Sequence, residues 1–300
     1  MPVISANGAR FHVQRLGPGA DAQQGGPLVV FVHGLVMDNM SSFYYTLAGP
    51  VITAGARVLL YDLRGHGRSE RTPRGYATRD SAADLCALLD ACGVTEPAYL
   101  VGNSYGGLVA ARTALLAPER VAGLALIEAS CAGSVAGAWL ESILNGMSTG
   151  ALSLEYQRTA EAFREAGQRR IAKMAEIAES LLNETSLIDD LAGERPLDAA
   201  EMAGIRCPVL AVYGEHSDLA GGAADLRRHV RDCQVEFVGG LAHTVLRDAS
   251  GTLRGILLDW LLRQAPATAG LRGAGLPGAR PPADGLTADG HPATAGAGRQ

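Results

Sequence analysis

The segment Gly102-Asn103-Ser104-Tyr105-Gly106-Gly107 constrains this chain more than any other. It follows an apolar run, Ala98-Tyr99-Leu100-Val101, that reads as a short buried strand. It precedes a run of small and apolar residues, Leu108-Val109-Ala110-Ala111, that reads as the start of a helix. A serine between glycines at a strand-to-helix turn forms a nucleophile elbow. The turn is so tight that the crossing strand and helix leave no room for a Cβ, which is why glycines flank the serine. The hydroxyl is then held above the sheet, and the unpaired N–H groups of the new helix face any negative charge that develops there. Ser104 is thus a candidate nucleophile.

A nucleophilic serine needs a base and an acid to orient it. The chain has seven histidines. His243, in Gly239-Gly240-Leu241-Ala242-His243, follows Gln234-Val235-Glu236-Phe237-Val238, which reads as an edge strand, and a loop there reaches back over the sheet. His291 falls in the tail, His229 on a surface helix and His12 in an opening hairpin. The acid is expected after the apolar run Pro208-Val209-Leu210-Ala211-Val212-Tyr213, where Gly214-Glu215-His216-Ser217-Asp218 follows. Asp218 is the expected orienting carboxylate. Two rivals are visible: Glu215, which suits a loop cap, and Glu128, at the end of the apolar run Leu124-Ala125-Leu126-Ile127.

An oxyanion hole needs two backbone N–H groups. Tyr105, next after the serine, supplies one. The other is expected from Leu35, in the loop His33-Gly34-Leu35-Val36-Met37-Asp38 after the strand Leu28-Val29-Val30-Phe31-Val32. His33 reads as a residue that ties this loop down rather than as a base.

In this order, His33-Gly34, Asp62-Leu63-Arg64-Gly65-His66-Gly67-Arg68-Ser69, the Ser104 elbow, Gly214-Glu215-x-x-Asp218 and His243 resemble the α/β-hydrolase superfamily over about residues 3 to 263. The resemblance implies a mostly parallel, eight-stranded α/β sheet with a helical cap insertion. The core would comprise residues 1–130 and 207–264, and the cap residues 131–206. From Cys131 to about Arg206 the pattern is helical, with Ile171, Met174, Ile177, Ala178, Leu181 and Leu182 at helical spacing. Asp62 and Arg64 are expected to make structural hydrogen bonds. The resemblance also implies the chemistry: cleavage of an ester or thioester of a small acyl substrate through Ser104, His243 and Asp218, with no cofactor and no metal. Epoxide hydrolases and haloalkane dehalogenases of the superfamily carry an aspartate at the elbow, which Ser104 disfavours. Carbon–carbon bond hydrolases share Gly102-Asn103-Ser104 but carry a Gly-Pro-Gly run after their His-Gly that Leu35-Val36-Met37 lacks. A non-hydrolytic member of the same fold, a lyase, cyclase or ligand-binding receptor, is the alternative from another class.

Composition bounds the reading. Three hundred residues with 47% hydrophobic content suffice for a large core plus an insertion, and a net charge of −5 carries no basic footprint for nucleic acid. Lys173 is the only lysine, on a polar helix face, which disfavours a Schiff-base mechanism. Five irregularly spaced cysteines, Cys86, Cys92, Cys131, Cys207 and Cys233, read as reduced thiols, with Cys131 near the cleft. The opening residues lack a signal-peptide pattern and no apolar run approaches a membrane span, so a cytoplasmic protein acting on a small molecule is expected. The stretch 265–300, rich in Ala, Gly and Pro, reads as a disordered tail.

Overall fold

The computed structural model describes residues 2–19, 25–131, 133–148 and 151–264. The expected tail, 265–300, lies outside the described residues. The strands are β1 (Val3–Ala6), β2 (Ala9–Leu16), β3 (Leu28–Val32), β4 (Arg57–Tyr61), β5 (Ala98–Asn103), β6 (Val121–Ile127), β7 (Val209–Gly214) and β8 (Cys233–Val238). They form one sheet in the order β1-β2-β4-β3-β5-β6-β7-β8. β1 and β2 are antiparallel, as are β2 and β4, and the remaining neighbours are parallel. The β1–β2 hairpin turns at Asn7-Gly8, both with positive φ (44° and 73°), the backbone that a tight two-residue connection requires.

The central strands are apolar at nearly every position because helices cover both faces. Alternate residues supply two separate cores. Val30 and Val32 of β3 pack with Leu85, Leu88 and Val109 on one face. Val29 and Phe31 pack with Phe43, Leu47 and Trp260 on the other. Helices α1 (Ser41–Phe43) and α2 (Gly49–Thr53), joined by a π-helical turn at Tyr44–Ala48, lead into β4. Helix α3 (Thr78–Ala91) precedes β5, and α4 (Tyr105–Leu116) follows it.

Between β6 and β7 the described residues are helical: α5 (Gly133–Ser148), α6 (Ala151–Glu165), α7 (Arg169–Glu184), α8 (Leu187–Ala192) and α9 (Ala199–Ala203). In the second half of α7 the expected stripe is buried, at Ala178, Leu181 and Leu182, but in the first half it is displaced by one residue. Ala172, Ala175 and Ala178 are its buried seam with Leu181 and Leu182, while Ile171, Met174 and Ile177 are half-buried at its margins. Small side chains let a neighbouring element approach the helix closely, so in its first half Ala172 and Ala175, not the larger residues, mark the contact. After β7 come α10 (Gly222–His229), β8, α11 (Val245–Asp248) and α12 (Ser250–Gln264). α12 buries Leu253, Leu257, Leu258, Trp260 and Leu261 against the sheet. Trp260 meets Tyr99 edge to face, with centroids 5.8 Å apart, over Gly123, where a Cβ would fall 2.9 Å from the indole.

Candidate active site

Strand β5 ends at Asn103 and α4 begins at Tyr105, so Ser104 alone makes the turn, at φ 52° and ψ −120°. Its N–H donates to the Ile127 carbonyl of the adjacent strand at 2.8 Å. The flanking glycines are obligatory. A Cβ on Gly102 would fall 2.3 Å from the Gly106 carbonyl oxygen, and one on Gly106 would fall 2.0 Å from that of Val32.

His243 occupies the loop between β8 and α11, and its Nε2 lies 3.2 Å from Ser104 Oγ. The loop after β7 braces this histidine loop. The His216 N–H donates to the Leu241 carbonyl at 2.8 Å, and the Gly240 N–H donates to Glu215 Oε2 at 3.0 Å. Glu215 is therefore a loop brace.

The structure does not bring Asp218 to the histidine. Asp218 is exposed on the turn after β7, and among the described residues no hydrogen bond or ion pair joins it to His243. The carboxylate beside the ring is Glu128, directly after β6, with Oε2 3.2 Å from His243 Nδ1. The reason is directional. On the turn, buried Ser217 faces inward while its neighbour Asp218 faces solvent, and the Ser217 hydroxyl donates to Glu128 Oε2 at 2.5 Å. The Gly214 N–H donates to Oε1 at 2.5 Å, so both carboxylate oxygens are held in a side chain only 1% exposed. The Nδ1–Oε2 contact has ion-pair distance with looser alignment than an ideal hydrogen bond, and Nδ1 has no hydrogen-bond partner among the described residues. Such contacts commonly tighten only when substrate binds.

The loop after β3 is pinned on both sides of Leu35. The Gly34 N–H donates to Asp38 Oδ2 at 2.7 Å and the Val36 N–H to His66 Nε2 at 2.8 Å. Among the described residues no acceptor pairs with the Leu35 N–H between them. Tyr105, as the first residue of α4, has an N–H with no intrahelical acceptor. Its buried hydroxyl points elsewhere, donating to the Tyr76 carbonyl at 2.8 Å. His33 Nε2 accepts the Leu63 N–H at 2.9 Å, so His33 ties the loops together as expected. Burial, aided by neighbouring His33, pushes the His66 pKa down to about 4, which keeps its Nε2 an acceptor.

Asp62 binds the Met40 N–H (2.9 Å) and the Arg68 N–H (2.9 Å), and Arg64 makes two bonds to Asp84 (2.8 and 2.6 Å). His12 was missed as a partner: its Nδ1 lies 2.8 Å from Asp62 Oδ2 inside the sheet. Nothing in a hairpin histidine signals that contact in advance.

A narrow cavity of about 30 Å³ is bordered by Leu35, Tyr105, Leu108, Cys131 and Leu140. Burial pushes the Cys131 thiol up to about 12, so it lines the cavity as a neutral thiol. Three of the four non-glycine residues with left-handed backbone among the described residues surround this site: Val36 (φ 65°), Ser104 (φ 52°) and Glu128 (φ 49°).

A doubly covered sheet, a strand-to-helix serine and a histidine delivered by the last loop define a class, and comparison with known proteins agrees. The model of the alpha/beta hydrolase fold family matches residues 27–182, over half of the chain, and the chain belongs to that family. A stretch of 90 residues is 43% identical to a protein of Variovorax paradoxus named as a carbamate hydrolase RutD, covering 30% of this chain and 34% of that one. A stretch of 133 residues is 34% identical to epoxide hydrolase B of Mycobacterium tuberculosis, covering 44% and 36%. These alignments span about a third of the relatives' length. The enol-lactonase of Burkholderia xenovorans LB400 superposes with a TM-score of 0.68 at 20% identity, covering 87% of this chain and all of that one, a likeness of fold. Among the described residues, no helix is long and apolar enough to cross a membrane.

Proposed function

We propose that this protein is a serine hydrolase that cleaves an ester or thioester of a small acyl substrate. The observation that carries this reading is the chain of contacts from Ser104 Oγ to His243 Nε2 and from His243 Nδ1 to Glu128 Oε2, each 3.2 Å. Ser104 Oγ attacks the acyl carbon while His243 Nε2 takes its proton. The Leu35 and Tyr105 N–H groups hold the oxyanion, an interaction of about 3 kcal/mol per donor in comparable sites. His243 returns the proton to the leaving alcohol or thiol as its bond to carbon breaks, leaving an acyl-serine. His243 then deprotonates water, which attacks the acyl carbon, and the proton returns to Ser104 as the acid departs. Glu128 holds the imidazole in the Nδ1–H tautomer and stabilises the transient imidazolium.

The serine also argues for acyl transfer over epoxide opening. Attack of a serine on an epoxide would leave an ether, which offers water no carbonyl to attack, so the enzyme would not turn over. Residues 131–206 act in this reading as a cap that excludes water from the cleft. The test is a fluorophosphonate probe together with p-nitrophenyl acetate. Labelling at Ser104 with loss of acetate hydrolysis supports the reading. A protein that resists the probe and hydrolyses no ester refutes it.

A further inference from the structure

Two cavities meet back to back beneath α8. The inner one runs from Leu35 and Tyr105, the two residues proposed to hold the oxyanion, past Leu108 and Leu140. The outer one, about 440 Å³, is edged by Arg79, Asp189 and Asp190. Thr78, Arg112, Glu194 and Arg195 border both, so they form the partition between them.

The partition is closed by contacts among its members and with Glu201 behind them. Glu194 Oε1 accepts the Thr78 N–H at 2.5 Å and the Thr78 hydroxyl at 2.8 Å. Its Oε2 lies 3.9 Å from Arg112 Nη2. Arg112 donates to Glu201 Oε1 at 3.0 Å and to the Arg195 carbonyl at 3.0 Å. Arg195 donates to both oxygens of Glu201, at 2.7 and 2.9 Å, which pulls the Glu201 pKa down to about 2. Two cations thus face two anions, with donors and acceptors turned on each other. To a ligand entering from the nucleophile side, the partition is a stop with no net charge to recruit an ionic group. The walls leading to it are leucines, a cysteine held as thiol, and an alanine.

We propose, on the footing that Ser104 is the acylated nucleophile, that the reacting carbonyl of the substrate carries a short aliphatic chain. The chain lies in the inner cavity, and Glu194, by closing onto Thr78, limits its length. A longer chain has to displace Glu194 from two hydrogen bonds and leave the Thr78 N–H unpaired against an apolar group, which is costly. Glu194 is in this sense a specificity-determining residue remote from the reacting atoms.

The experiment compares kcat/KM over p-nitrophenyl n-alkanoates, from acetate to dodecanoate, for the full-length protein and for Glu194→Ala. The parent prefers short chains, and Glu194→Ala raises the decanoate-to-butyrate ratio by about tenfold or more, joining the two cavities. Leu140→Phe, which fills the inner cavity from α5, lowers the same ratio and serves as the second variant should Glu194→Ala fold poorly. Ester hydrolysis with the same chain-length profile in all three proteins overturns the inference and leaves the hydrolase reading standing. Absence of hydrolysis and of fluorophosphonate labelling at Ser104 removes both.

Discussion

Glu128 Oε2 sits 3.2 Å from His243 Nδ1, on the opposite side of the ring from Ser104. The carboxylate comes from the end of β6, next to the strand that carries the nucleophile, and its other contacts, to Gly214 and Ser217, tie it to β7 and the turn that follows.

The acid can be tested directly. Glu128→Gln is expected to lower ester kcat/KM by about a thousandfold or more, because an amide neither stabilises an imidazolium nor fixes the tautomer. Asp218→Asn, on the exposed turn, is expected to stay within about twofold of the parent, as surface substitutions do. Since the Gln amide can set a donor against the Gly214 N–H or the Ser217 hydroxyl, melting temperatures are measured alongside, and Glu128→Asp, which keeps the charge, should retain more activity than Glu128→Gln. Strong loss in Asp218→Asn with little in Glu128→Gln would return the acid to the loop after β7.

Ser104→Ala and His243→Ala are each expected to abolish ester hydrolysis to a similar degree, with the double variant scarcely worse, because nucleophile and base act as one unit. Circular dichroism and melting temperature should stay near those of the parent. Residual activity above a few per cent in Ser104→Ala would sink the nucleophile assignment.

Glycine substitutions should separate by position. Gly106→Ala is expected to prevent folding or to destabilise by more than about 3 kcal/mol, since its Cβ would overlap the Val32 carbonyl at 2.0 Å. Gly255→Ala, in the middle of α12 with no atom within 4 Å of the added methyl, should stabilise by about 0.5–1 kcal/mol. Chemical denaturation reads both. A soluble Gly106→Ala protein of parental stability would contradict the packing at the elbow.

Acid should loosen the fold through His66. Its pKa in the folded protein is about 4, below the ordinary value of 6.5. As pH falls, the unfolded chain therefore takes up the proton first. This contribution leaves stability intact above about pH 6.5. Stability then falls as pH drops from there toward about 4, by at most about 1.4 kcal/mol per unit. His66→Gln, which can still accept the Val36 N–H, should show a shallower decline of stability between pH 7 and 4.5 in urea denaturation. Parallel curves for the two proteins would rule out His66 as the source.

The places of Ser104, His243 and the loop of Leu35 were legible because each depends on local chain geometry: a glycine-flanked turn, a loop after a last strand, a His-Gly after a buried strand. The acid was not. Whether a carboxylate after β6 or one after β7 reaches His243 depends on which way each side chain leaves its backbone, and a left-handed φ of 49° at Glu128 is not a conformation glutamate signals by itself. The available hint was small: a carboxylate set directly after four apolar residues, followed by Ala129-Ser130. The partners of Asp62 and Arg64 were hidden for a related reason. His12 and Asp84 lie 50 and 20 residues from them in sequence, and only the sheet order brings them together.

The left-handed backbone at Val36, Ser104 and Glu128 stores strain beside the proposed nucleophile. Valine is among the residues least suited to that conformation, and each such position costs on the order of 1–3 kcal/mol. A laboratory selection that rewarded survival at high temperature and ignored turnover would therefore gain by placing glycine at Ser104 and would be left with a robust, inert protein, whereas at Val36 and Glu128 the relief is offset by lost apolar burial and by the Gly214 N–H and Ser217 hydroxyl left unpaired. A selection that demanded both would have to leave Ser104 untouched and find its improvements elsewhere, in the helices far from the cleft.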